Sequence, residues 1–212
     1  MKGDDMPKDI AFSSVGPVGL VTGTHLRTPC GPRRVENIRV GDLVVTRDAG
    51  LQPVRVVFSR KLTAAELAAD PSLAPVRLAP RAIAPMMPAQ ELLVAPGHRL
   101  LIPGWRLENK ADTEMTLLPA RELTGANDTI HTARDVGDVT YFNIVFDEHV
   151  VFCANGLPVE SFRPTPAALD AIDRNVGDDI RRLFPSLNER PETYPAARYP
   201  MAEHARYRPD FA

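Results

Sequence analysis

The chain has 212 residues, with Lys+Arg 25 against Asp+Glu 27 and a formal net charge of -2, so it can bury one sizeable core, or one core with a small appendage. The near balance of charge leaves no long-range field with which to collect DNA, RNA or anionic lipid, and nucleic acid and membranes are not expected partners. Apolar residues make up 44% and charged residues 25%, while 21 prolines and 13 glycines interrupt the chain often, a pattern that favours short strands over long helices.

In chain order, residues 1–15 are polar and aperiodic and read as a flexible leader without the apolar h-region of a secretory signal. The fold is expected to start near Gly16. From Gly19 to Arg60, short alternating runs (THLRT, DLVVTRD, PVRVVFSR) separated by PCGP, RVGD and DAG predict strand, turn, strand, turn, strand. Residues 61–74 have helix-forming composition closed by Asp70-Pro71, which predicts a short helix or turn inserted into the sheet. Strands resume at VRLAP (76–80), ELLVA (91–95) and HRLLI (98–102), followed by a hairpin-like PGW and a polar stretch; LLPARELTG (117–125) reads as a strand end and one helical turn stopped by Gly125.

Residues 140–162 (TYFNIVFDEHVVFCANGLPVESF) carry two β-branched and aromatic runs with polar DEH between them, which predicts a tight hairpin and a final turn. Beyond it, Leu169, Ile172, Val176, Ile180 and Leu183 recur at spacings of three and four, predicting an amphipathic helix within 164–187 that docks on the β-domain despite Gly177. The last stretch, 188–212, is rich in Pro, Arg and Tyr without period and reads as an extended strap or a disordered tail. The expected organisation is thus a leader 1–15, a mostly β domain 16–163, a helix 164–187 and a tail 188–212. No run approaches the roughly 18 consecutive apolar residues of a membrane span, and the protein is expected to be soluble and cytoplasmic.

Cys30 and Cys153 are too few for a disulfide framework and lack a CxxC spacing, which fits a reducing compartment. Five dispersed histidines without HxH or HExxH spacing give a metal hydrolase little support, and no metal or cofactor is expected. Gly41-Asp42 stands where a strand restarts after a turn, and Asn155-Gly156 between Phe152 and Leu157 is a strong turn dipeptide.

The segment GTHLRTPCGPRRVENIRVGDLVVTRDAGLQPVRVV resembles the opening of bacterial Hint domains, the fold of hedgehog autoprocessing domains and inteins. Two further segments, LLVAPGHRLLIPG (92–104) and HVVFCANGLPVESF (149–162), resemble that family's Pro-x-His-Arg strand and its closing hairpin, in the same order. The resemblance covers residues 16–163 and implies a horseshoe of short antiparallel strands.

It also implies a chemistry. In the family a cysteine at the domain's first position attacks the preceding carbonyl, converting an amide to a thioester. That cysteine is expected four residues before the Gly-Thr pair, where this chain carries Gly19. The family's amide-polarising histidine matches His98, and imidazole is suited to proton transfer near neutral pH. Ala95 stands three residues earlier, where the family often has Thr. The chain runs on past Phe162 without the terminal His-Asn that intein splicing needs, and only eighteen residues precede Gly19.

At each position a structural role competes with the chemical one. His98 on an apolar strand reads as a hydrogen-bonded core histidine or a retained catalytic relic. His149, beside Asp147 and Glu148, reads as a hairpin-tip residue or as a general base or metal ligand. Thr24 reads as a half-buried strand residue or, with Thr22, Ser13 and Ser14, as a substitute nucleophile. Cys30 and Cys153 read as small, partly buried apolar residues, and His25 and Cys30 would approach Cys153 or His98 if the horseshoe closes. Three functions follow: a Hint-type module that has lost self-cleavage and binds peptide or serves as architecture; a self-processing protein with a substitute nucleophile and His98 as acid and base; and an adaptor that binds a protein partner through its tail.

Overall fold

The computed structural model describes residues 17–190 and 194–208. The leader expected over 1–15, including Ser13 and Ser14, lies outside the described residues. In chain order the strands are β1 (Leu20–Val21), β2 (His25–Thr28), β3 (Gly31–Arg34), β4 (Leu43–Val45), β5 (Leu51–Pro53), β6 (Val56–Leu62) and β7 (Val76–Leu78), then β8 (Leu92–Val94), β9 (Arg99–Pro103), β10 (Met115–Pro119), β11 (Ile130–Thr132), β12 (Val139–Val145), β13 (Val151–Ala154) and β14 (Leu157–Glu160). The helices are α1 (Ala64–Ala69), α2 (Pro166–Asp170), α3 (Arg174–Leu183) and α4 (Ser186–Glu189). The molecule is mostly β, built from short antiparallel strands in the manner of the Hint fold.

Among the described residues the strands form two six-stranded sheets and one hairpin. The first sheet has the order β11-β7-β8-β1-β12-β6, the second β10-β9-β14-β13-β2-β3, and β4 pairs with β5 alone. The chain passes from the first sheet to the second within three residues, Thr22 to Thr24, between β1 and β2. It crosses again over the five residues between β12 and β13. The apolar faces meet in one core: Leu20, Val94 and Ile144 from the first sheet pack with Leu26, Leu100, Phe152 and Val159 from the second. Alternation explains the division, because inward residues such as Leu26 and Thr28 are buried while Arg27 between them is exposed.

Three expectations need correction. The runs 140–146 and 149–153 do not form a hairpin with each other. β12 pairs with β1 and β6 in one sheet, β13 with β14 and β2 in the other, and Asp147 to Val150 is the crossover. The hairpin is instead β13–β14, turned by Asn155-Gly156. β3 was read as part of a turn, yet Gly31–Arg34 pairs along all four residues of β2, because an edge strand can carry proline and arginine where a central strand cannot.

The third correction concerns the helix expected between 164 and 187, which is broken into three. Thr165 caps α2 and Asp173 caps α3, its carboxylate accepting from the amides of Asn175 and Val176. Pro185 then closes α3, since it has no amide to donate. The apolar stripe does dock on the sheet, with Leu169, Ile180 and Leu187 packed with Val145 and Phe162. Leu183, however, is 48% exposed, and Phe184 turns inward in its place against Tyr194, with ring centroids 5.6 Å apart. The described part of the tail is a strap: the Tyr194 hydroxyl donates to Phe146 O at 2.8 Å and the Tyr207 hydroxyl to Ala82 O at 3.0 Å.

Candidate functional site

The residues flanking the Val18–Gly19 bond are held extended from both sides. From the loop after β8, Ala95 N donates to Gly19 O at 2.9 Å and Gly97 N to Pro17 O at 2.9 Å. From β12, the Asn143 side-chain amide donates through Nδ2 to Val18 O at 3.1 Å. Leu20 and Val21 then continue in register opposite Phe142 and Tyr141. The carbonyl preceding Gly19 therefore faces a buried amide donor, in the position where charge would develop if that carbonyl were attacked.

Gly19 is buried, with φ of +134°. A Cβ added there would stand 2.9 Å from Tyr141 Cβ, 3.0 Å from Phe142 O and 3.1 Å from Asn143 Nδ2. Two of these neighbours are fixed to the backbone of a central strand, so a side chain at position 19 would displace β12.

His98 follows the loop that grips this segment. Its own amide donates to Ala95 O at 3.0 Å and its carbonyl accepts from Ala120 N at 2.9 Å, which fixes the backbone. Its ring is buried, and Nε2 has no hydrogen-bond partner among the described residues. Burial pushes its pKa down from 6.5 to about 4; Glu160 nearby opposes this, while Arg99 and His149 add to it. The ring is accordingly neutral at pH 7. Ala95, where a hydroxyl was expected to be missing, is packed in an apolar cluster with Tyr141, Leu62 and Leu73.

His149 is also buried, which corrects the reading of it as a hairpin-tip residue. Because DEH lies on the crossover between sheets, the histidine turns inward and its Nε2 lies 3.3 Å from Glu160 Oε2. Glu160 Oε1 accepts from the backbone amide of Arg99 at 3.1 Å, and the Arg99 guanidinium stands 3.6 Å away. Burial disfavours the Glu160 carboxylate, yet the bond from His149 and the charges of His98, Arg99 and His149 outweigh it and hold its pKa below the usual value. His149, Glu160 and Arg99 thus form one buried hydrogen-bonded group, and its charges reach His98, which makes no hydrogen bond to it.

The remaining candidates are apart from this centre. The Thr24 hydroxyl donates to Val21 O at 2.7 Å and is spent on the turn after β1. Cys153 lies in β13 opposite Pro158; burial raises its thiol pKa, and the charges it feels are those of Arg47 and Arg27 rather than those around Glu160. Cys30 is exposed at the β2–β3 turn, and His25 is tied by its backbone to Asn155. Among the described residues no group of three or more His, Cys, Asp or Glu side chains is arranged to hold a metal. No described helix is long and apolar enough to cross a membrane.

Sequence reading missed Asn143, Glu160, Arg99 and Tyr141. A signal existed for two of them. Asn143 is a polar residue inside the apolar run TYFNIVF, and Glu160 closes a strand that is otherwise buried throughout.

The family model described as the Hint domain matches residues 18–166. No curated protein matches the chain. Among solved structures, the gp41-1 intein is similar at 15% identity, covering 68% of this chain and 98% of its own, with a TM-score of 0.40. The MchDnaB-1 intein is similar at 15% identity, covering 66% and 98%, with a TM-score of 0.42. A bacterial intein-like domain from Clostridium thermocellum is similar at 14% identity, covering 68% and 98%, with a TM-score of 0.41.

Proposed function

The chain belongs to the Hint domain family, a family of self-processing domains, and from that membership we propose that here the cutting step has been lost while the entry groove serves as a peptide-holding, architectural module. Self-cleavage begins when a nucleophile's electron pair attacks the carbonyl carbon of residue 18 and the amide nitrogen of residue 19 departs with a proton. Gly19 offers no such electron pair. The observation that carries the reading is the closure of position 19 by Tyr141, Phe142 and Asn143 around a glycine backbone conformation, so that even a Cβ there requires β12 to move.

The peptide that this entry region holds is residues 17–19 of the chain itself, bonded by Ala95, Gly97 and Asn143. Intact mass of the purified protein, with and without thiol or hydroxylamine, is expected to show one uncut species. A fragment beginning at Gly19 would overturn the reading. Gly19→Cys is expected to remain uncut in thiol as well, because the space rather than the sulfur alone is missing.

One observation favours a second reading, surviving cleavage by a substitute nucleophile: the Val18 carbonyl still receives a hydrogen bond from Asn143, and His98 is retained beside the loop that grips the bond. A fragment at Gly19 that disappears in His98→Gln would select it. The adaptor reading has the packing of the strap against it, since Tyr194 and Tyr207 are buried on the chain's own β-domain.

A further inference from the structure

The β4–β5 hairpin departs from the alternation seen in β2, where the outward residue is Arg27. Its inward residue, Val44, is fully buried, but its outward positions carry no polar side chain: Leu43 stands opposite Pro53 and Val45 opposite Leu51. Leu43 is 43% exposed, Leu51 50% and Val40, just before the hairpin, 67%. Gly41 N donates to Val54 O at 2.8 Å, which ties the Val40 turn to the end of β5. Three of the five large apolar side chains exposed among the described residues are thus gathered in one place, as at a contact surface.

The charge around this face is of one sign. Between residues 25 and 55 the chain carries six arginines against three acidic residues, although its overall charge is -2. The acidic residues already have partners. Asp42 lies 2.7 Å from the Arg33 guanidinium and accepts from Arg39 N at 2.8 Å, Glu36 accepts from Gly23 N at 2.9 Å, and Asp48 accepts from Val151 N at 3.2 Å. Arg39, ahead of Val40, spends its guanidinium on the carbonyls of Glu36 and Ile38, which leave its charge in place. Arg47, two residues beyond Val45, is exposed. The face is therefore apolar in the middle with a guanidinium toward either end. Such a pattern repels a second copy offering the same face and attracts an occupant with acidic ends. Among the described residues β5 has a strand on one side only, so its free edge offers backbone groups to an extended chain. Lipid has no groups in register to pair with them.

We propose that the outer face of the β4–β5 hairpin docks an extended segment of a partner protein, laid beside β5, with apolar residues alternating through its middle and acidic residues at its ends. Its apolar side chains cover Leu43, Val45 and Leu51, and its carboxylates meet Arg39 and Arg47. The site uses no residue of the entry region, so it stands whether or not the bond before Gly19 is cut.

The test uses the full chain and a synthetic peptide of that pattern, DDTVTVTVDD, with KKTVTVTVKK as its charge-reversed control. The acidic peptide is expected to shift the methyl resonances of Leu43, Val45 and Leu51 saturably, and less strongly as salt is raised. Leu43→Thr with Leu51→Thr, and separately Arg39→Glu with Arg47→Glu, should each weaken binding about tenfold or more. The same charge change on α3, Arg174→Glu with Arg182→Glu, should weaken it less than twofold. All of these side chains are exposed, and the urea midpoint of each variant checks that the fold persists. No saturable shift, equal binding of the lysine peptide, or equal loss in the α3 variant would overturn the proposal. So would methyl shifts that follow protein concentration alone, which would make a second copy the occupant, or shifts produced by phosphatidylserine vesicles and not by the acidic peptide.

Discussion

Gly19 carries two constraints at once, a left-handed backbone and a Cβ position already occupied. Gly19→Ala is therefore expected to cost about 3 kcal/mol, combining backbone strain with overpacking against β12. Urea unfolding monitored through Trp105 measures it, and a loss below about 1 kcal/mol would mean that the space can open. His98 and Glu160 illustrate how unevenly single residues reveal themselves. The Pro-Gly-His-Arg pattern singled out His98, but nothing in the string of letters states that His149, fifty-one positions later, shares a carboxylate with its neighbourhood. Sequence distance is not spatial distance, and the electrostatics of a buried group depend on the latter.

Among the elements, the β13–β14 hairpin was legible because its turn obeys local chemistry. Asn155 has φ of 47° and Gly156 of 86°, the paired left-handed conformation that an Asn-Gly turn supplies. The tip is tied to the rest of the fold: Asn155 Oδ1 accepts from His25 N at 2.8 Å and Nδ2 donates to Glu91 O at 2.6 Å. Asn155→Ala is expected to cost about 2–3 kcal/mol, from the lost left-handed preference and two lost bonds. Asn155→Asp, which keeps the acceptor but not the donor, should lose less, and equal losses in equilibrium unfolding would refute this division. The β12–β13 pair misled for a complementary reason. Two apolar runs flanking a short polar stretch specify two strands, but whether they pair or cross between sheets depends on partners elsewhere. The long helix misled because the cap at Asp173 acts within the apolar periodicity and cuts it.

For the whole molecule, the depressed pKa of His98 becomes a statement about acid stability. Its folded value of about 4 lies below the ordinary 6.5, so between these limits the unfolded chain binds more protons. Stability is complete above pH 6.5 and falls as the pH drops to about 4, by roughly 3 kcal/mol from this group. The lowered Glu160 acts in the same direction at still lower pH, since its carboxylate must be protonated as the protein unfolds. Urea midpoints at pH 7 and pH 5 measure the slope, and His98→Gln should flatten it; an unchanged slope in that variant would assign the acid sensitivity elsewhere.

The amino-acid sequence alone determined that the chain is a β-rich Hint-type domain, where most of its strands fall, and that glycine occupies position 19. Periodicity and turn chemistry act over a few residues and can be read from a string. Only the tertiary structure decided which strands share a sheet, that Asn143 grips the Val18 carbonyl, and that Glu160 gathers His149 and Arg99 at one buried carboxylate. Those facts arise from contacts between residues far apart in the chain, whose energies depend on distance and burial that no local pattern encodes.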